Sequence, residues 1–448
     1  MSTSFRVRVG IVAALGLGVR LWAVEEFYRR LPLAFSDNFF YSVQANALAD
    51  GKGFLDPFLY DETGIVEPSA SHPPLYSLYL SIWSFLGMDT PTWHRVASCM
   101  LGIVTVVAVA LVARRLAGDR AGIAAGAVAA LFPPLWIVDG TIVAESLYAP
   151  VIAGVMLAGL RFAERPTNGR AVVLGLVIAA AALTRSEGLA LLAFVALPLV
   201  LLLRSAAWRD RIRLFAVTVA ACLTMVAPWT IRNLAAFEEP TPLAYGAGYV
   251  MKVGNCDLTY QGKFLGYWHY SCNYAGSMEP DMSVGERRAR EQAIDYIGDN
   301  LERVPTVVAA RVGRLWHVYR PFQGVDFDVL FERRGLFPSR AGLWGFYALV
   351  PLVAAGLWAV RRCPSALVVT GAMLFSATFS AALAFGITRY RIAGDVAIAV
   401  LAGIGIDWSL RRLRGRLDRG DAARDPDRTD TDGDEDAATT SLGTRAST

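Results

Sequence analysis

The chain has 448 residues, 54% of them hydrophobic and only 18% charged, with a formal net charge of +4. A soluble protein carries about a quarter charged residues, so this composition excludes a soluble multidomain enzyme, and nothing in the charge pattern points to nucleic acid. The apolar residues fall into repeated runs of roughly 18 to 22, each long enough to cross a hydrocarbon core about 30 Å thick. The chain therefore reads as an all-α polytopic membrane protein.

Basic residues set the expected topology. Nearly all are arginine, as in GC-rich bacterial genomes, and the lysines are Lys52, Lys252 and Lys263. Arg6 and Arg8 precede an apolar run with no small-residue cleavage site, so the first helix is read as retained. Short cytoplasmic loops are rich in Lys and Arg. Placing Arg114–Arg115, Arg161–Arg170, Arg204–Arg213, Arg361–Arg362 and Arg411–Arg416 on that side requires crossings near 7–27, 93–113, 121–138, 143–162, 171–186, 188–203, 212–231, 341–360, 364–386 and 392–410. Both ends of the bundle then lie in the cytoplasm.

Taken in chain order, residues 1–231 form an N-terminal transmembrane module whose first outer loop, about 25–91, opens with Phe35-Ser36-Asp37-Asn38. Asp37 stands where the membrane's outer mouth should be, and a carboxylate there is placed to act as a base. From Asp37 to Ala49 the pattern puts Phe40, Val43, Ala47 and Leu48 near one face, as for a helix lying on the bilayer. His72-Pro73-Pro74-Leu75-Tyr76 follows, its prolines fixing an extended backbone. The apolar stretch Pro74–Leu86 is short for a crossing and is assigned as a re-entrant or interfacial helix.

Residues 232–340 are expected to form an extracytoplasmic subdomain, loop-like and rich in Gly, Tyr and Asn at first, helical from Gly285 to Val318. Cys256 and Cys272 lie there. Outside the cytoplasm a disulfide between them is permitted, with two free thiols as the alternative; His269 alone is too little for a metal site. Residues 341–410 supply the C-terminal spans. Residues 411–448 read as a disordered cytoplasmic tail, too polar from Asp425 to Asp436 to bury a core.

Several charges break the positive-inside pattern. Glu145 follows Asp139-Gly140-Thr141, Arg185 lies in Leu183-Thr184-Arg185-Ser186-Glu187-Gly188, Arg232 ends a span, and Arg389 and Arg391 sit in Thr388-Arg389-Tyr390-Arg391. Rim charges line a cavity or pair with one another; a structural pair such as Arg185 with Glu187 is the plainer alternative. Several arginines beside two acids suit a phosphate leaving group, since the guanidinium fork matches phosphate oxygens.

Arg20 within the first helix, Asp37, His72-Pro73-Pro74, Ala144-Glu145-Ser146-Leu147, the Arg185 turn and Arg389-Tyr390-Arg391 together resemble the polytopic C-type glycosyltransferases. The likeness is to the superfamily of protein O-mannosyltransferases and aminoarabinose transferases, over about residues 5–410. The resemblance implies an inverting transferase, with a polyprenyl-phosphate-linked sugar as donor and an extracytoplasmic acceptor. It implies Asp37 as the catalytic acid residue, Glu145 as a second, orienting acid, and His72, Arg185, Arg389 and Arg391 toward the donor phosphate. Where many members carry a second acid beside the first, this chain has Asn38; where others carry Lys before the proline pair, it has His72. No metal or other cofactor is expected, and the setting is a bacterial plasma membrane. A transporter or flippase of a polar lipid is the alternative, though neither matched halves nor broken helices are visible in the sequence.

Overall fold

The computed structural model describes residues 3–33, 36–273 and 281–422. The helices are α1 (Thr3–Ala23), α2 (Asp37–Ala49), α3 (Pro57–Thr63), α4 (Leu75–Phe85), α5 (Pro91–Ala117), α6 (Asp119–Leu131), α7 (Pro134–Thr141), α8 (Glu145–Glu164), α9 (Asn168–Thr184), α10 (Leu197–Leu201) and α11 (Trp208–Ala236). They continue as α12 (Ala247–Gly254), α13 (Asp257–Tyr260), α14 (Met282–Asp299), α15 (Val304–Leu315), α16 (Pro321–Phe331), α17 (Leu336–Val360), α18 (Pro364–Leu383) and α19 (Ile392–Ala422). Among the described residues there is no strand, only an isolated bridge between Leu55 and Pro68. The fold is all-helical and polytopic, as the composition requires.

Among the described residues, seven helices are long and apolar enough to cross a membrane, or eight if the bent pair α6–α7 counts as one span. Two shorter apolar stretches, Asn168–Thr184 and Ser186–Leu201, fall where two further crossings were expected. α19 forms the centre of the bundle. Its residues Val396 to Leu401 are all buried, and a helix apolar all round belongs inside. Gly356 and Gly405 let it close on α17: a Cβ at either would run into a carbonyl of the facing helix.

The expected straight crossing over 121–138 is corrected. α6 and α7 meet at Phe132-Pro133-Pro134 with a 46° bend. Pro133 and Pro134 have no N–H, so the carbonyls of Ala129 and Ala130 lose their helical partners. Arg20 supplies replacements. Its Nη2 donates to Ala129 (3.5 Å) and Leu135 (3.2 Å), its Nη1 to Ala130 (3.4 Å), and its Nε to Asp139 Oδ2 (2.7 Å). The pair is fully buried. A Cβ at Gly102 would collide with both partners, so only glycine leaves them room.

α2 also departs from expectation. It packs against α4, and Phe40, Tyr41, Ser42, Gln44, Ala45 and Ala47 are buried. Its inner face is partly polar, and each polar group finds a partner: Ser42 contacts His94 Nδ1 (2.9 Å), and Gln44 donates to the Gly53 carbonyl (2.9 Å). α4 is short, as expected, and exposes Leu78, Ile82 and Phe85.

In residues 232–340 the second half forms α14 and α15, while the first half is not the plain loop expected: α12, α13 and short 3₁₀ turns at Gly262–Phe264 and Tyr270–Asn273 fill it. Cys256 and Cys272 are joined in a disulfide. α19 runs on to Ala422, so the first part of the stretch expected to be a disordered tail is helical, and the acidic part from Asp425 lies outside the described residues.

Candidate active site

Five chain segments far apart in sequence, those of His72, Glu145, Arg185, Glu332 and Arg389, gather around Asp37. It is the first residue of α2, and its side chain is 27% exposed. Arg389, in the 3₁₀ turn Thr388–Arg391 that leads into α19, donates from Nη2 to Asp37 Oδ2 at 2.5 Å. The same guanidinium places Nε 2.8 Å from Glu145 Oε1 and donates from Nη1 to Glu332 Oε2 at 3.0 Å. Arg185, at the turn after α9, donates to both Glu145 and Glu187 and lies 5.1 Å over the Tyr390 ring. His72 Nε2 stands 3.5 Å from Asp37 Oδ1, its ring held between Phe40 and Tyr41.

Burial is the largest influence on the Asp37 carboxyl and pushes it up. Arg389 and then His72 outweigh it, leaving the group well below the usual carboxylate range. Asp37 is thus ionised and partly open to solvent. Burial pushes the Tyr41 phenol far up, with Asp37 and Glu145 adding to it, so this tyrosine stays protonated. Glu332 is also pushed up by burial, beyond what Arg389 and Arg334 recover. Glu145 is fully buried and its Oε2 has no hydrogen-bond partner among the described residues.

Of the residues singled out in the sequence, Asp37, His72, Glu145, Arg185 and Arg389 are brought together. Arg391 is not. A 3₁₀ turn advances about 120° per residue, so Arg391 points away from Arg389 into the bundle. There it is fully buried, donates to Asp395 (2.8 Å) and to the Leu315 carbonyl (3.0 Å), and lies over Phe346. That arrangement corrects its grouping with the phosphate-facing arginines. Arg232 also turns away, donating to the carbonyls of Ser69 and Phe54. Glu332 was missed: Phe331-Glu332-Arg333-Arg334 reads as a solvated charged turn, and only its adjacency to a helix end marks it.

Arg185 and Arg389 are both engaged by carboxylates, so a phosphate reaching either must displace an acid. Among the described residues, no group of three or more metal-ligating side chains has a geometry able to hold an ion.

The family model for dolichyl-phosphate-mannose-protein mannosyltransferase matches residues 71–231, the part of the chain holding His72, Glu145 and Arg185. No curated protein matches the sequence. Among solved structures, the Archaeoglobus fulgidus oligosaccharyltransferase in complex with Zn and sulfate is similar to this chain with a TM-score of 0.54 and 14% identity. The match covers 94% of this chain and 51% of that one. The same archaeal enzyme, AglB, in complex with an inhibitory peptide and a dolichol-phosphate gives 0.55 and 13%, over 96% and 53%. ArnT from Cupriavidus metallidurans bound to undecaprenyl phosphate gives 0.43 and 16%, over 91% and 78%. The chain spans about half the length of the archaeal enzyme it matches. In the sequence of its 71–231 segment and in its fold, the chain resembles the polytopic C-type glycosyltransferases.

Proposed function

We propose that the chain is an inverting glycosyltransferase that moves a sugar from a polyprenyl-phosphate carrier to an acceptor hydroxyl on the extracytoplasmic side of a membrane. The observation that carries this reading is the environment of Asp37. It is an ionised, partly accessible carboxylate at the mouth of a helical bundle, braced by Arg389 and His72. Such a group is suited to take a proton, and general-base help contributes roughly 10²- to 10⁴-fold.

In the step envisaged, the acceptor oxygen forms a bond to the anomeric carbon while its proton passes to Asp37. The bond from that carbon to the phosphate oxygen breaks, and polyprenyl phosphate leaves with the electron pair. Arg185, with His72 beside Asp37, meets the charge that grows on the leaving phosphate; preset positive groups in a water-poor site are worth more than in bulk water. Arg389 and Glu145 hold the carboxylate and the arginines in register. The basic clusters at the opposite end of the spans support a site on the outer side and a C-terminal tail in the cytoplasm. The domain division follows: 1–231 and 341–410 form the membrane module and 232–340 its outer covering.

A transporter reading draws on one observation, the broken α6–α7 span. Here Arg20 fills the break with its own hydrogen bonds, which favours the transferase. The test uses the protein in lipid nanodiscs with a panel of polyprenyl-phosphate sugars and an envelope extract. Release of polyprenyl phosphate by wild type, lost in Asp37→Asn, supports the transferase; lipid movement between leaflets with no release from any donor overturns it.

A further inference from the structure

Native folds leave few buried polar groups unpaired, and an ammonium buried alone is among the most costly. Lys252 on α12 is such a group. It is 8% exposed, and its Nζ has no hydrogen-bond partner among the described residues. Two more buried donors, on or beside α12, have no hydrogen-bond partner among the described residues: the Tyr249 hydroxyl and the Trp268 indole N–H. Tyr249 and Lys252 are three apart on one helix and so share a face. Trp268 borders the same helix, since the next residue, His269, donates its backbone N–H to the Val253 carbonyl at 3.1 Å.

α12 is fastened on both sides of Asp37's surroundings. Just before it, Tyr245 N–H donates to the Ala70 carbonyl (2.9 Å), two residues from His72. At its far end Gly254 packs so tightly on Ala384, five residues before Arg389, that a Cβ would not fit. Eight helical residues span about 12 Å. The helix therefore runs between the His72 side and the Arg389 side of the cluster. Next to Trp268, Tyr270 is exposed, its ring 4.4 Å from the indole, within the electrostatic reach of Asp37 and Arg389. The disulfide to Cys272 ties this turn to the residue that opens α13.

We propose that Lys252, with Tyr249 and Trp268, forms an oxyanion subsite that takes an acidic group of the substrate. Three donors, one of them cationic, call for a ligand rich in oxygen acceptors, and a phosphate or a carboxylate meets that need. The subsite also resolves the difficulty at Arg185 and Arg389, whose donors are already held by carboxylates: among the described residues, Lys252 is a buried cation with no acid to displace. The acidic group comes either from the donor's phosphate or from an acidic sugar of the acceptor. This deepens the transferase reading, but binding is separable from turnover.

The experiment measures equilibrium binding to the full chain in nanodiscs, on an Asp37→Asn background so that no chemistry intervenes. The probes are undecaprenyl phosphate, an oligogalacturonate and a neutral oligomannose of equal length. Lys252→Met should weaken one acidic probe by about ten- to a hundredfold, and Lys252→Arg should restore part of it. Loss with undecaprenyl phosphate assigns the donor phosphate; loss with oligogalacturonate assigns an acidic acceptor. Lys252→Met should also melt no lower than its parent, because it removes an unpaired buried charge. Unchanged affinity for both acidic probes, or a marked fall in melting temperature, overturns the proposal. If binding follows this pattern while wild type releases no polyprenyl phosphate, the subsite stands and the transferase reading fails.

Discussion

Arg389 reaches Asp37 across 352 positions of sequence, and the same guanidinium also touches Glu145 and Glu332. The turn that leads into α19 thus closes on the start of α2 through one side chain. The cluster exists only when both ends of the chain are assembled.

Asp37→Asn keeps the shape of the side chain and removes its charge. Transfer should fall by about 10²- to 10⁴-fold, measured as polyprenyl phosphate released, while expression and melting temperature change little. Near-normal turnover would move the base elsewhere.

Arg185→Ala and Arg391→Ala should separate. Arg391 is a buried partner of Asp395, and breaking such a pair costs about 3–5 kcal/mol. Its loss should lower the melting temperature while leaving the KM for donor unchanged in whatever protein survives. Arg185→Ala should instead raise the donor KM. An equal effect of both on KM would return Arg391 to the phosphate site.

Gly102→Ala inserts one methyl into the Arg20–Asp139 pair. A large fall in thermal stability is expected. Arg20→Met strands Asp139 and should be comparably damaging, whereas Arg20→Met with Asp139→Leu should recover much of the loss, since a buried ion pair replaced on both sides by apolar groups is often neutral. A double variant no better than the single would show that the carbonyl caps, and not the charge pair, carry the stability.

His317 is 4% exposed and faces Arg391 and Arg334; burial first, then these cations, lower its pKa from 6.5 to about 2. Its folded pKa lies below the unfolded one, so the unfolded chain binds the extra proton. Stability from this group is therefore complete above about pH 6.5 and is lost as pH falls below it, by up to about 1.4 kcal/mol per pH unit. His317→Asn tolerates the left-handed backbone at this position (φ 56°). It should flatten the fall in melting temperature between pH 7 and pH 5, and an unchanged slope would contradict the assignment.

Sequence reasoning found the spans and the charged rim because both follow from the cost of charge in hydrocarbon. Glu145, Arg185 and Arg389 broke a simple rule and so stood out. Arg391 stood out equally, but spacing of two in a 3₁₀ turn points a side chain elsewhere, and that turn has no sequence marker. Glu332 was hidden for the opposite reason, since acids are ordinary in a polar loop. The inward packing of α2 was missed because Ser42 and Gln44 look exposed until His94 and the Gly53 carbonyl are brought to them. The α6–α7 bend left only the Pro133-Pro134 pair as a trace within an otherwise continuous apolar run.

The Arg20–Asp139 pair bears on how the chain is made. An arginine at the centre of a span costs about 2.5–3.5 kcal/mol to insert, and Arg20 carries some share of that when α1 enters the bilayer. Its counter-ion follows 119 residues later, which at about 5–20 residues per second is a delay of roughly 6–24 s. Until α7 has been made, Arg20 therefore lacks the carboxylate partner that it has in the folded bundle. A chain interrupted before Asp139 keeps an unmatched cation in the membrane, the kind of defect by which an insertion machinery can tell a finished bundle from a partial one.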